Sequence, residues 1–267
     1  MKNKFSVLIL ITLAVCSCKD RKESKVVDSS VNGLIHQNED WTYEGETGPE
    51  HWVEIENESE CDGNRQSPIN IIDVNVITDA SLVSIKTNYS ASVKIHEITN
   101  NGHTIRYNFE KGDFILLDGV KYKLKQIHFH EPSEHTINGI RYPLEMHLVH
   151  INKNNEIAVL AVMAKEGESS EPFAFLEKYL PVSKGETKLI DANFDLNKSL
   201  PTKKEYYTYR GSLTTPPCTQ NVTWFVYKTP ITISVDQVKQ LQNLMPLNNY
   251  RNEQPLNGRA IRQYINP

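Results

Sequence analysis

The chain of 267 residues is 39% hydrophobic and 23% charged, with a formal net charge of −4. That is enough apolar content for a core, and it gives no electrostatic case for nucleic acid or an anionic membrane surface as partner. The length is high for one domain, yet large β domains reach it, and no internal repeat or low-complexity linker divides the region after Leu34.

In chain order, Lys2 and Lys4 precede an apolar run over residues 5–15, the charged start and short apolar body of an export signal. The run is too short to span a bilayer comfortably. It ends in Val15-Cys16-Ser17-Cys18, which resembles a bacterial lipoprotein signal. Cys18, behind the small Ser17, is the expected lipid-bearing residue, with Cys16 as the alternative and a plain secretory signal as the competing reading. Residues 1–18 therefore read as signal, 19–33, charged and serine-rich, as a flexible tether, and 34–267 as one domain. The expected location is outside the inner compartment, periplasmic or at the cell surface, held to a membrane by a lipid.

Short alternating or β-branched runs predict strands over 92–97, 103–109, 113–117, 121–130, 144–151, 157–164, 206–209 and 222–227. Asp118-Gly119 between two of them is a hairpin signal. A helix is expected over 171–180, with Pro172 near its start. A second is expected over 235–245, where Ser234 and Gln237 form a capping-box pattern and Val235, Val238, Leu241 and Leu244 share a face. The fold class is mainly β (α+β): a mostly antiparallel sheet with a few short peripheral helices.

The histidines carry the chemistry. In Gln126-Ile-His128-Phe-His130 alternate side chains share a strand face, and His147 of Glu145-Met-His147 completes a three-nitrogen set from the next strand. Three neutral imidazoles suit Zn2+, and a tetrahedral ion with only three protein ligands keeps a position for water. Gln126 and Glu145, each two residues before a candidate ligand, are placed to accept a ligand's second N–H and fix its tautomer. Glu134 and His135 add polar groups nearby, and Gly211-Ser-Leu-Thr-Thr-Pro-Pro-Cys218 is a tight turn able to present a hydroxyl and an N–H. A rival reading takes His128, His130 and Glu134 as a cupin metal motif, but the second cupin motif is missing around His147. Cys61 and Cys218 are the only cysteines after the signal, so in an oxidising compartment a disulfide is the economical reading.

These residues resemble the α-class carbonic anhydrases. The similarity runs from Trp41-Thr-Tyr43 and Gly48-Pro-Glu-His-Trp52 through Arg65-Gln-Ser-Pro-Ile69 and Asn100-Asn-Gly-His103 to the histidine strands. It continues through Glu145-Met-His-Leu-Val-His150, the 211–218 turn, Val222-Thr-Trp224 and Gln254-Pro-Leu256. The resemblance implies a large twisted sheet with zinc at the floor of a conical cleft, and reversible hydration of CO2 to bicarbonate by zinc-bound hydroxide. In that family the ion is known to bring bound water to a pKa of about 7. By the same resemblance His128, His130 and His147 are the metal ligands, and Gln126 and Glu145 support them. Thr214 accepts from the hydroxide and donates to Glu134, its N–H meeting a substrate oxygen. Val149, Val159, Leu213, Val222 and Trp224 line an apolar wall for CO2, with Thr215 on the polar side. His103 falls at the family's proton-shuttle position. Arg106 departs from the neutral polar residue usual near the shuttle and is expected to depress His103 if it points inward. Bacterial members carry the Cys61–Cys218 pairing. A noncatalytic binding module on the same fold is the alternative, and such modules typically lack one or more zinc histidines.

Overall fold

A computed structural model of the chain describes residues 41–55 and 58–266. The signal, the tether, Cys16, Cys18, His36 and the expected domain start at Leu34 lie outside the described residues.

A 13-stranded sheet organises the described chain. Its strands are β1 (Ile77–Thr78), β2 (Lys86–Asn88), β3 (Val93–Asn100), β4 (Ile105–Phe109), β5 (Phe114–Leu117), β6 (Val120–His130), β7 (Leu144–Ile151), β8 (Ile157–Glu166), β9 (Thr187–Phe194), β10 (Tyr206–Ser212), β11 (Gln220–Tyr227), β12 (Ile231–Ile233) and β13 (Arg262–Tyr264). The order is β9-β3-β4-β6-β7-β8-β11-β10-β13-β1, with β12 beside β8 and β5 joining β2 to β6. Pairing is antiparallel except at β8–β11, β8–β12 and β13–β1. A small separate sheet joins Asn70–Ile71, Thr136–Ile137 and Ile140–Arg141. The helices are α1 (Trp52–Ile55), α2 (Glu171–Glu177) and α3 (Val235–Gln242).

All eight expected strands form, with ends shifted by a few residues. The hairpin does too: Leu117 pairs with Val120 across Asp118 and Gly119, both at positive φ, which suits the twist of the flanking strands. Both helices end earlier than expected. Leu180 precedes Pro181 and Met245 precedes Pro246, and a residue before proline is pushed out of helical geometry. The capping box of α3 is made as expected, with Ser234 Oγ accepting from Gln237 N at 3.3 Å and Gln237 Oε1 from Ser234 N at 3.3 Å.

A bulge decides which face of β6 carries the histidines. Val149 pairs with Gln126 while the next residue, His150, pairs with Leu124, so Lys125 is an extra residue on β6. Without it, Leu124 and Gln126 would share a face. With it, Tyr122, Leu124, Ile127 and Phe129 all reach the core, and Gln126, His128 and His130 turn to the opposite face. The core packs Leu144, Met146 and Leu148 of β7 against Ala158, Leu160 and Val162 of β8, with Phe173 and Leu176 of α2 and Leu241 of α3 covering that side.

Candidate metal centre

On the other face the strands line up in cross-strand rows. One row reads Arg106, His128, His147, Ala161 and Val226 across β4, β6, β7, β8 and β11. The neighbouring row reads Asn108, Gln126, Val149, Val159 and Trp224. The pleat thus sets the metal histidines directly beside the residues expected to line the apolar wall. Trp224 packs edge-on against His147, ring centroids 4.9 Å apart, and its Nε1 donates to Ser212 O at 2.9 Å. Val149, Val159, Val222, Trp224 and Thr214 are buried, and Leu213 and Thr215 are half-buried in the turn after β10.

Each of the three histidines commits one ring nitrogen to an acceptor. His128 Nδ1 donates to Gln126 Oε1 at 2.9 Å, His130 Nδ1 to Asn249 O at 2.6 Å, and His147 Nε2 to Glu145 Oε1 at 2.8 Å. The other nitrogens then carry lone pairs, and they converge within 4.8 Å of one another. His128 Nε2 lies 3.2 Å from His147 Nδ1, and His130 Nε2 is buried without a hydrogen-bond partner. Facing lone pairs at that distance repel unless a cation joins them. Zinc with Zn–N bonds of about 2.0–2.1 Å in a tetrahedron holds its nitrogens about 3.4 Å apart. The donor set therefore fits Zn2+. Burial holds the pKa of His128 and His130 below the usual histidine value, which keeps the rings neutral and able to ligate.

The carboxylates divide the supporting work. Glu145 is fully buried and accepts four times: from Glu134 N and His135 N, both at 2.8 Å, from His135 Nδ1 at 2.7 Å, and from His147 Nε2. Burial works to raise its pKa, but its interactions with His135 and His147 outweigh that and hold it well below the usual carboxylate value. Glu134 Oε1 accepts from Arg251 N at 3.0 Å, whereas Oε2 has no hydrogen-bond partner and lies 3.4 Å from His130 Nε2. Thr214 thus makes no hydrogen bond to that oxygen, although it is the acceptor left free for one.

Two supports were not legible in the sequence. One is the Asn249 carbonyl that orients His130, a backbone atom with no side-chain signal. The Asn249 side chain also donates to His103 O and Phe129 O, both at 3.0 Å, tying the His103 loop to β6. The other is Arg251, buried beside the disulfide, whose guanidinium donates to Gln66 Oε1 at 2.6 Å, Ser67 O at 3.0 Å and Cys61 O at 2.8 Å. The Cys61–Cys218 bond forms, with Cα atoms 4.9 Å apart, and fastens the end of the Thr214 turn. Gly211 at the start of that turn is needed for close approach, since a Cβ there would strike Ser67 and Tyr209. His135 and His150 are hydrogen-bonded to the Tyr209 and Tyr89 hydroxyls at 2.7 Å each.

His103 stacks on Trp41 with ring centroids 3.7 Å apart. Burial, then the charge of Lys184, lowers its pKa to about 4. The expected culprit was Arg106, and here the expectation is corrected. Arg106 sits opposite His128, where its charge lowers that ring's pKa instead.

The sequence profile of the eukaryotic-type carbonic anhydrase family matches residues 47–265. A carbonic anhydrase of Klebsiella pneumoniae is 41% identical over 225 residues, covering 83% of this chain and 89% of that protein. The α-carbonic anhydrase of Thermovibrio ammonificans, solved with the inhibitor sulfanilamide, superposes with a TM-score of 0.79 at 39% identity, covering 83% of this chain and 98% of that one. A hyperthermostable carbonic anhydrase from a hydrothermal vent chimney superposes with a TM-score of 0.78 at 43% identity, over 84% and 99%. With this sheet, this histidine cluster and a profile match over most of its length, the chain belongs to the eukaryotic-type, or α, carbonic anhydrase family.

Proposed function

We propose that the protein is a zinc enzyme that hydrates CO2 reversibly to bicarbonate and a proton, with His128, His130 and His147 as its metal ligands. The observation that carries this is the set of three inward lone pairs, each fixed by an acceptor on the far side of its ring. Zinc held by these three residues would lower the pKa of water and so make a nucleophile available at neutral pH.

The chain's own groups do the rest. Glu134 Oε2, buried and without a hydrogen-bond partner, is the acceptor toward which the Thr214 hydroxyl would turn; that bond would leave the Thr214 oxygen able only to accept, which would orient the nucleophile toward the substrate. Val149, Val159, Leu213, Val222 and Trp224 offer a wall without strong hydrogen bonds to CO2, a molecule with no net dipole. Thr215 and the Thr214 N–H meet the polar product. His103 carries the proton away, with burial and the charge of Lys184 lowering its pKa to about 4 in this position. Cys18 bears a lipid, and residues 19–33 tether the domain to a membrane outside the inner compartment.

The noncatalytic alternative is disfavoured by the complete ligand set and its matched acceptors. The test is zinc content measured together with CO2 hydration on protein lacking residues 1–33, with His147→Ala alongside. One zinc per chain and rapid hydration, both lost in the variant while the fold persists, are expected. Hydration without zinc, or zinc without hydration, would refute the proposal.

A further inference from the structure

A cleft of about 870 Å³ opens on the face of β10 and β11 turned away from the histidines. Strand alternation places it there: Thr223 and Phe225 line it, whereas the intervening Trp224 packs on His147. Its volume suits an organic ligand of moderate size.

The lining changes character along β10. At one end the Tyr206 hydroxyl donates to Val83 O at 2.8 Å, and its ring meets Phe225 with centroids 5.3 Å apart. Val83 is 65% exposed there, a large apolar side chain left to solvent beside Leu82. Four residues further along, roughly 13 Å at the usual strand rise, Arg210 marks a basic end. Arg65 and Arg259 join it, and Arg262 lines the cleft between.

The basic end is not neutralised by the protein. Arg259 donates to the carbonyls of Leu256, Arg210 and Pro255 at 2.9, 3.0 and 2.8 Å and lies over the Tyr209 ring at 5.6 Å. Arg210 donates to Thr223 Oγ1 at 2.6 Å and to Asn221 O at 3.3 Å. Arg65 uses its backbone N–H, to Gln220 Oε1 at 2.8 Å. All these acceptors are uncharged. Arg262 alone of the four has a carboxylate, Asp79 at 3.2 Å, and Asp118 is the one acidic residue in the lining. Among the described residues no carboxylate lies within ion-pair distance of Arg65, Arg210 or Arg259. Burial and the nearby Arg65 charge both lower the pKa of Arg259. Arginine does not shed its proton to relieve such crowding, so the charge persists. A concave, partly apolar wall focuses that field onto whatever enters.

We propose that this cleft is a second binding site, separate from the metal centre, for an organic oxyanion: its carboxylate, phosphate or sulfonate lies at Arg65, Arg210 and Arg259, and its apolar body lies over Val83 and Phe225. The cationic end selects charge, and the apolar end selects against small inorganic anions.

Calorimetric titration of the zinc-loaded full chain tests it with 4-phenylbutyrate as probe, 4-phenylbutanol as the uncharged analogue and inorganic phosphate as the anion without a body. One saturable site for 4-phenylbutyrate is expected, with both analogues at least tenfold weaker. Arg65→Gln with Arg210→Gln weakens 4-phenylbutyrate at least tenfold while CO2 hydration is unchanged. Val83→Asp, which leaves every arginine in place, also weakens it. Equal affinity in the arginine variant and the wild type would place the anion at the zinc or elsewhere and overturn the proposal. So would the absence of a saturable site, or an alcohol or phosphate that binds as tightly as the acid.

Discussion

Glu145→Gln puts an amide NH2, a donor, into a position where four N–H groups call for acceptors. The carboxylate takes four N–H groups, two on each oxygen, which fills its four lone-pair positions. Glutamine accepts at one end only. With its amide nitrogen toward the backbone, the N–H groups of Glu134 and His135 lose their acceptor; turned the other way, His135 and His147 lose theirs. Two buried donors without partners cost about 1–3 kcal/mol each, so about 2–6 kcal/mol of stability in all. The pH dependence changes as well. A carboxyl whose native pKa is depressed contributes stability that is present above its ordinary value of 4.5 and lost as pH falls through the native one. Wild type therefore loses this contribution in acid, and the variant has none to lose. His147 also loses the acceptor that holds its proton on Nε2, which should weaken zinc about 10–100-fold. Urea unfolding of metal-free protein near neutrality and at about pH 4, with zinc affinity by chelator competition, reads all three effects. An unchanged midpoint together with unchanged zinc affinity would refute the reasoning.

Cys61→Ser with Cys218→Ser opens a loop of 157 residues' separation, which the chain-entropy relation puts at about 5 kcal/mol; urea unfolding showing a loss below about 1 kcal/mol would contradict it. Thr214→Ala should retain zinc and lose CO2 hydration about a hundredfold, and unchanged kinetics would remove the threonine from the mechanism. His103 should titrate near 4 by NMR and rise in Lys184→Gln, with stability falling as pH drops from 6.5 toward 4 because protonation favours the unfolded chain. His103→Ala should slow hydration in weak buffer and recover with added imidazole; a native pKa at or above 6.5, or no effect of the substitution, would count against this reading. Cys18→Ser should abolish incorporation of labelled fatty acid and Cys16→Ser should not, and continued labelling of Cys18→Ser would move the anchor to Cys16.

The sequence by itself determined the central strands, because their apolar residues recur with a clear period, and it brought out His128 and His130 as candidate ligands, because alternate residues of a strand share a face. The α3 capping box and the Asp118-Gly119 hairpin were equally legible, each being a local device whose partners lie within a few residues. The strands Ile77–Thr78, Lys86–Asn88, Thr187–Phe194, Ile231–Ile233 and Arg262–Tyr264 were not. They are short, or, like the exposed half of Thr187–Phe194 with Leu189 in solvent, they lack an apolar period and owe their form to the neighbour they pair with. Tertiary structure alone decided the bulge at Lys125, which sends Leu124 inward and Gln126 outward and so makes the histidine face possible. It also decided that a carbonyl at Asn249 orients His130, that Lys184 and not Arg106 bears on His103, and that arginines at 65, 210 and 259 share one cleft. Each of these joins residues far apart in the chain through a backbone atom or a long-range charge, and neither leaves a trace in side-chain spacing.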